Sequence, residues 1–210
     1  MAKDPQTVTT NAAKITAIFE GAMQEFLQHG YEGSSMDRVA AQANVAKATI
    51  YAHFDDKEAL FSALIRQLVE QKFQQLFVPA LTNGTAVTSS AQLQSFFSRI
   101  LAGLAADEQF LGFIRLIIGE SGRFPHLAQA FVAQLDQPLL TMLAHYLAPL
   151  RLADPEATAH IISGTLLSTI IIGHILHGAT LIGIDDERLM GVLAEQVFLH
   201  KDGSTTISSG

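Results

Sequence analysis

The chain has 210 residues, of which 49% are apolar and 16% are charged, and its formal net charge is −7. This length and apolar content allow a sizeable core in one or two domains. The negative charge argues against general nucleic-acid affinity, because a protein held to DNA mainly by neutralising phosphates is normally basic. The absence of cysteine excludes disulfides, thiolate zinc sites and thiol redox sensing.

Two further features favour an all-α protein located in the cytoplasm. Gly and Pro are sparse, and no run alternates apolar and polar residues as a half-buried strand does. The N-terminal segment MAKDPQTVTTN lacks the apolar run of a signal peptide. We interpret it as a flexible arm whose Lys3 could touch a DNA backbone.

The first predicted helix precedes residue 30. Its apolar residues recur at helical spacing on one face: Ile15, Ile18, Phe19, Ala22, Met23, Phe26 and Leu27. Gly30 should end this helix, because glycine readily adopts the left-handed conformation of a helix terminus.

Residues 34–54 predict two short helices joined by a turn. Ser34 lies three residues before Asp37, as in a short capping box that starts a helix. Asn44 tolerates positive φ and marks the turn, and a third helix begins near Ala46. Three residues should anchor this third helix to the other two: Val45, Ile50 and Phe54.

The outward side of the third helix is small, polar or basic, so it can enter a DNA groove without clashing. The run from Gly30 to Leu60, GYEGSSMDRVAAQANVAKATIYAHFDDKEAL, resembles the DNA-binding domain of the TetR family of bacterial transcriptional regulators. Two positions depart from the family pattern: Asn44 stands where Gly is usual, and Ala46 stands where Ser or Thr is usual. A missing cap hydroxyl typically costs a helix about 1 kcal/mol.

Geometry and the resemblance together assign DNA contacts to eight residues. Ser34 and Ser35 open the second helix, where hydroxyls and backbone amides can hold a phosphate. Three residues are candidates for reading bases: Lys47, Ala48 and Thr49. Three more are expected at the DNA backbone: Tyr51, His53 and Lys57. The alternative for Tyr51 is partial packing against the first helix. The third helix is the predicted recognition helix. Since it contains no Arg, Asn or Gln, DNA shape should determine part of the sequence specificity.

The DNA-binding domain is predicted over residues 1–56, and a regulatory domain over residues 57–210. Further helices are predicted near Leu60–Phe77, Ser90–Ala105, Glu108–Gly119 and Pro125–Leu150. The stretch PALTNGTAVTSS, residues 79–90, is the clearest linker. The run RLIIGESGRFPHLAQAF, residues 115–131, resembles the C-terminal domain of the AefR-like branch of the same family.

The resemblance implies a cavity for a small, usually apolar effector whose binding moves the DNA-binding domains apart. The candidate lining residues are large and apolar or aromatic: Phe97, Phe110, Phe113, Met142, Tyr146, Leu167 and Ile171. Ordinary core packing is the alternative for each of them. Arg115 lies in the apolar run LGFIRLII, so its guanidinium needs a partner. That partner is Glu120 or Asp107, solvent reached by the side-chain stem, or the carboxylate of an anionic amphiphilic effector.

Residues 159–183, AHIISGTLLSTIIIGHILHGATLIG, predict a helix that is apolar on every side. Polar residues interrupt its core and it is the only such segment, so we expect a buried helix and no membrane span. One subunit can cover only part of it, which predicts a partner helix from a second copy. With an amphipathic helix over Leu189–Phe198 it predicts a four-helix homodimer interface, and this agrees with how the resembled family dimerises. A dimer suits a palindromic double-stranded DNA operator. The tail from Lys201 to Gly210 is polar and is predicted to be disordered.

Other classes of function find less support in the sequence. His174 and His177 are i, i+3 neighbours and could begin a metal site with His145 and His160, but no carboxylate lies close by in sequence. A pH-sensitive interface is equally permitted. No phosphate loop, nucleophile elbow or HExxH pair indicates an enzyme, and neither a cofactor nor a metal is expected. The sequence and the resemblance together predict a sequence-specific, ligand-responsive repressor that acts as a homodimer on a palindromic operator. The alternative is a DNA-bound structural or division-coupling protein on the same scaffold without a small effector. The effector, the operator and the direction of regulation are not specified by the sequence.

Overall fold

The computed structural model describes residues 5–79 and 87–200. Within these two ranges all regular structure is helical, as the sequence predicts. The predicted DNA contact of Lys3, most of the linker and the C-terminal tail from Lys201 lie outside the described residues.

The described helices follow one another in chain order. Their bounds are α1 Pro5–Gly33, α2 Met36–Gln42, α3 Lys47–Tyr51, α4 Lys57–Lys72, α5 Ser90–Ala105, α6 Glu108–Glu120, α7 Pro125–Leu147, α8 Pro155–Ser168, α9 Ala179–Ile182 and α10 Asp186–Leu199. π-helical turns extend α4 over Phe73–Phe77 and α8 over Thr169–Ile175, and a 3-10 turn, Ala148–Leu150, follows α7.

Gly30 interrupts α1 where the sequence predicts that the first helix ends. Its φ of 71° and ψ of 171° are not helical, and a separate short helical turn then runs on to Gly33. Groups from elsewhere in the chain hold this additional turn, which the sequence did not predict. The amide of Tyr31 donates to Glu120 Oε1 at 3.1 Å, and Lys57 Nζ donates to the carbonyls of Tyr31 and Glu32 at 2.6 and 3.2 Å.

The chain divides into two compact units. The first, which we call the head unit, comprises the described residues up to Leu68 together with Gly112–Val132. In it α1 packs on α2 and α2 packs on α3. Gly21 permits the close packing of α1 on α2, since a Cβ there would lie 2.7 Å from the amide nitrogen of Ala43.

The second unit comprises Val69–Leu111 and the described residues from Ala133 on. Here α5 packs against α10 and against both π-helical turns. Its apolar face is buried: Leu93, Phe96, Phe97, Ile100 and Leu101. A buried Lys72 pairs with Asp107 at 2.5 Å and joins the end of α4 to the corner between α5 and α6.

The segment Pro155–Ile175 is long and apolar enough to cross a membrane by length and composition alone. In the fold, 44% of its most apolar stretch is buried. This is weak evidence for a membrane span, because the core helix of a soluble protein passes the same test. The functional division at residue 56 stays a prediction.

Candidate nucleic-acid interface

The start of α2 is capped by Ser35. The Ser35 hydroxyl accepts a hydrogen bond from the Arg38 amide at 3.3 Å, and the backbone of Ser35 is extended, with φ −141° and ψ 148°. The prediction that Ser34 caps this helix together with Asp37 is wrong. Because the chain is helical up to Gly33, the buried Ser34 hydroxyl instead donates to the carbonyl of Tyr31 at 2.6 Å.

The turn between α2 and α3 forms where the sequence predicts it. Asn44 has a φ of 52°, and the Val45 amide donates to the Ala40 carbonyl at 3.0 Å. Ala46 is the N-cap residue of α3, with φ −67°, and no side chain caps the helix. The α3 helix therefore lacks the side-chain capping bond that a Ser or Thr hydroxyl at position 46 could form.

The faces of α3 are clearly separated. Ile50 is fully buried, and Phe54 just beyond the helix contacts Phe19 with ring centroids 5.7 Å apart. Lys47 and Ala48 are exposed, as is 45% of Tyr51. The two other base or backbone candidates on this segment, Thr49 and His53, are half-buried. The exposed face is small, polar and basic, as an element that enters a groove requires.

Lys57 has an internal role that the sequence did not indicate. Its ammonium donates to the carbonyls of Tyr31, Glu32 and Ser34 at 2.6, 3.2 and 3.1 Å. An ammonium has three N–H donors, so all of them are used here. Burial lowers the pKa of Lys57, while the nearby carboxylates of Glu32 and Glu120 oppose that change. A phosphate contact from Lys57, which stays a prediction, would replace at least one of these carbonyls.

A buried carboxylate joins α1 to the start of α2. Glu25 is fully buried, and its Oε1 accepts from Arg38 Nε at 2.6 Å and from the Ser35 amide at 3.2 Å. Arg38 also donates to the carbonyl of Gly33, and His29 Nδ1 lies 3.1 Å from Glu25 Oε2. Sequence reasoning missed this site. The available signal was the position of Glu25 in the apolar face of α1, seven residues after Ile18.

The lysine of the recognition helix is already paired. Lys47 Nζ lies 2.6 Å from Asp37 Oδ1 of α2, and both side chains are more than half exposed, at 57% and 63%. Lys47 Nζ also lies 5.8 Å from the centre of the Tyr51 ring. The hydrogen bond and charge of Asp37 raise the pKa of Lys47, so the lysine stays protonated.

The corner between α6 and α7 docks on the end of α1 and the start of α4 within the head unit. Glu120 accepts from the Tyr31 amide at 3.1 Å, and Phe124 meets Tyr31 edge-on with ring centroids 5.0 Å apart. Two ion pairs flank this contact: Arg123 with Glu32, and His126 Nε2 with Glu58 Oε2 at 3.5 Å. All four corner residues belong to the run that resembles the AefR-like C-terminal domain.

The predicted effector-binding residues are divided between the two units. Phe113 and the half-buried Arg115 lie in the head unit, and the other six lie in the second unit. Three are buried: Phe97, Phe110 and Phe113. Tyr146 is half-buried against Phe96, with ring centroids 4.2 Å apart, and Ile171 is half-buried. Leu167 is 46% exposed. Met142 lines an open cavity of about 610 Å³ with Pro138, Thr141 and His145.

The histidines do not assemble into a metal site in the described residues, where no group of three or more potential ligands occurs. The fold does supply one carboxylate that sequence proximity did not show. His174 Nε2 lies 3.3 Å from Asp186 Oδ2 at the start of α10. His177 is exposed, with a φ of 57°.

Comparison with known proteins identifies the family of both parts of the chain. Residues 18–64 match the family model of bacterial regulatory proteins of the tetR family, and residues 91–198 match that of the AefR-like transcriptional repressor C-terminal domain. The HTH-type transcriptional regulator YhgD of Bacillus subtilis is 42% identical over 67 residues, which are 30% of this chain and 35% of that protein. The chain thus spans about a third of the length of the curated relatives it matches.

Solved structures extend the similarity over nearly the whole chain. A TetR-family transcriptional regulator from Mesorhizobium loti superimposes with a TM-score of 0.72 at 26% identity, covering 90% of this chain and 95% of the other. The flavonoid-responsive regulator FrrA superimposes with a TM-score of 0.65 at 31% identity, covering 89% and 93%. The two adjoining models, the paired short helices and these structures agree, and the chain belongs to the TetR family of bacterial transcriptional regulators.

Proposed function

We propose that this regulator is a ligand-responsive repressor that acts in the cytoplasm as a homodimer on a palindromic operator. The observation that carries the DNA-binding part is the arrangement of α3. Its inner residue Ile50 is completely buried, whereas Lys47, Ala48 and Tyr51 are presented on the outer face. A helix anchored in this way can place those three side chains against base edges and the neighbouring backbone.

The number of direct contacts to each half-site should be small. Arg38 and Lys57 are held by acceptors of the head unit itself. Lys47 therefore supplies the principal charged contact of the recognition helix, and Ser35, Thr49 and His53 supply polar groups around it. Such an interface gives weak binding to random DNA at physiological salt, because few phosphates are neutralised.

Homodimerisation is supported by apolar side chains that α8, its π-helical turn and α10 leave in solvent. The exposed residues are Ile161, Leu167, Ile172, Leu176, Val192 and Leu199. Large exposed apolar side chains that gather on neighbouring helices are typical of a protein–protein interface. A second copy that packs α8 and α10 against their counterparts would bury them and would pair two recognition helices for a symmetric operator.

Regulation by an effector is supported by the corner between α6 and α7. From this corner both helices continue in sequence into the second unit. The corner itself contacts α1 and α4 of the head unit through four residues: Glu120, Arg123, Phe124 and His126. A ligand that prefers one position of this corner would change DNA affinity through these contacts. FrrA is flavonoid-responsive by name, so flavonoids are the first effector class to test here, followed by anionic amphiphiles.

Fluorescence anisotropy tests the proposal. The purified protein should prefer DNA from upstream of its own gene over shuffled DNA at physiological salt, and Lys47→Ala should abolish that preference. Arg66→Ala, which removes an exposed charge from α4, serves as the matched control and should leave the preference intact. Flavonoids are then added to the complex, and release of the DNA is the expected result. Binding to many unrelated fragments without release by any ligand would favour a DNA-bound structural protein.

A further inference from the structure

The ion pair between Asp37 and Lys47 lies on the surface where DNA is expected. Asp37 is in the first turn of α2 and Lys47 is the first residue of α3, and their charged atoms are 2.6 Å apart. A surface pair of this kind contributes little to stability. The pair instead affects DNA binding, because it lies on the side expected to face DNA and any DNA group that binds Lys47 must compete with Asp37.

A phosphate is a poor competitor in this place. If it took the position of the carboxylate on Lys47, it would stand next to Asp37, well inside the distance of about 8 Å over which charges interact at physiological salt. The exchange therefore replaces one anion by another and adds a repulsion between the two. Non-specific binding, which consists of such phosphate contacts, is disfavoured at this lysine.

The edge of a G·C pair is a better competitor. Guanine offers Lys47 the neutral acceptors O6 and N7, which do not repel Asp37. The cytosine of the same pair carries an N4 amino group, which can donate to the carboxylate that the lysine partly releases. Lys47 and Asp37 together match a donor and acceptor pattern that a phosphate lacks.

We propose that Asp37 is a specificity-determining residue that restricts Lys47 to base edges and keeps it from phosphates. This inference rests on the proposed DNA-binding function and deepens it. It explains how a head unit with few available cations can discriminate between sequences. Lys47, the cation of the recognition helix, stays paired with Asp37 of the neighbouring helix until a matching base edge replaces that contact.

The test compares the full-length protein with Asp37→Asn on two kinds of DNA. One is a random-sequence duplex, and the other is the sequence that the wild-type protein enriches from a random library. Asp37→Asn should bind the random duplex roughly three to ten times more tightly, and its preference for the enriched sequence should fall. The slope of log affinity against log salt concentration should steepen by about 1, since Lys47 then neutralises a phosphate.

Two controls separate this effect from a general change of charge. Glu70→Gln removes an exposed carboxylate from the far part of α4 and should change binding to both DNAs only slightly. In a Lys47→Ala background, Asp37→Asn should no longer strengthen binding to random DNA, because the lysine through which it acts is gone.

Several results would overturn the inference. Unchanged affinity of Asp37→Asn for random DNA would do so, as would a gain that persists without Lys47 or that Glu70→Gln reproduces. A selective loss of binding to the enriched sequence, without a gain on random DNA, would make Asp37 only a direct base contact. Failure of the wild-type protein to enrich any sequence would contradict the proposed regulator and, with it, a role of Asp37 in specificity, and the random-duplex comparison would then show only whether Asp37 keeps Lys47 from phosphates.

Discussion

Tyr31 has an environment that makes its ionisation costly. Its ring lies 5.0 Å from those of Phe61 and Phe124, and Lys57 Nζ lies 4.6 Å from the ring centre. Burial, followed by the charges of Glu58 and Asp56, raises the pKa of Tyr31 to about 12. The unfolded chain would lose this phenolic proton near the ordinary value of about 10.

This difference predicts a loss of stability at high pH. Between about pH 10 and 12 the unfolded state has lost the proton while the folded state retains it, so the stability present below pH 10 falls as the pH rises. With solvent screening allowed for, we expect Tyr31 to account for about 1 kcal/mol of this loss. Urea unfolding of the wild-type protein and Tyr31→Phe at pH 9 to 11 measures it. Parallel curves for the two proteins would contradict the assignment.

Glu25 should be important for the stability of the head unit. Replacing it with Gln removes the charge that holds Arg38 and weakens the bond to the Ser35 amide, and we expect a loss of about 2 kcal/mol in the free energy of unfolding. Glu20→Gln changes an exposed carboxylate of the same helix and should cost less than about 0.5 kcal/mol. Chemical denaturation compares the two variants, and equal effects would show that burial of Glu25 is unimportant.

At the scale of elements, α3 lacks the side-chain cap that its sequence also lacks. Ala46→Ser should supply a capping hydroxyl to the first-turn amides of α3, which no side chain caps, and stabilise the protein by about 0.5–1 kcal/mol. Ala48→Ser introduces the same hydroxyl inside the helix, where no cap is needed, and serves as the control. Urea denaturation measures both, and a neutral Ala46→Ser would mean that water already satisfies those amides.

Helix positions could be predicted where the signals are local. The prediction of Ser90–Ala105 is confirmed at both ends, because Ser89 and Gln92 form a complete capping box and the apolar spacing continues to the last turn. The extra turn after Gly30 could not be predicted in this way. It depends on Glu120 and Lys57, which lie far from Gly30 in sequence.

The same distinction applies to the candidate DNA-binding site. The outward face of α3 and the turn at Asn44 follow from local spacing and from a single residue preference. The internal bonds of Lys57 depend on how α4 meets α1, and the Asp37–Lys47 pair depends on how α2 meets α3, which no local pattern specifies. A sequence pattern can therefore identify a basic residue near DNA, whereas the residues that already hold it become visible only in the fold.

At the scale of the whole molecule, the apolar face of α8 provides a test of assembly. Ile161 and Leu167 are 61% and 46% exposed. Their joint replacement by Asp should convert the proposed dimer into monomers in sedimentation experiments. It should also weaken operator binding at least about tenfold, because the two DNA-binding domains are no longer linked and each half-site is bound separately. Val132→Asp changes a comparably exposed residue of α7 and should leave the dimer intact. A dimer that survives the double replacement would place the interface on another surface.

The contact between Phe124 and Tyr31 also provides an optical reporter. The chain has no tryptophan, so Phe124→Trp would introduce a single indole whose emission arises from this corner alone. Its ring would start about where the Phe124 ring now lies, 5.0 Å from Tyr31, and loss of that contact would expose it to water and shift its emission to longer wavelength. Rapid mixing of this variant with candidate effectors would then time the undocking of the corner in the absence of DNA.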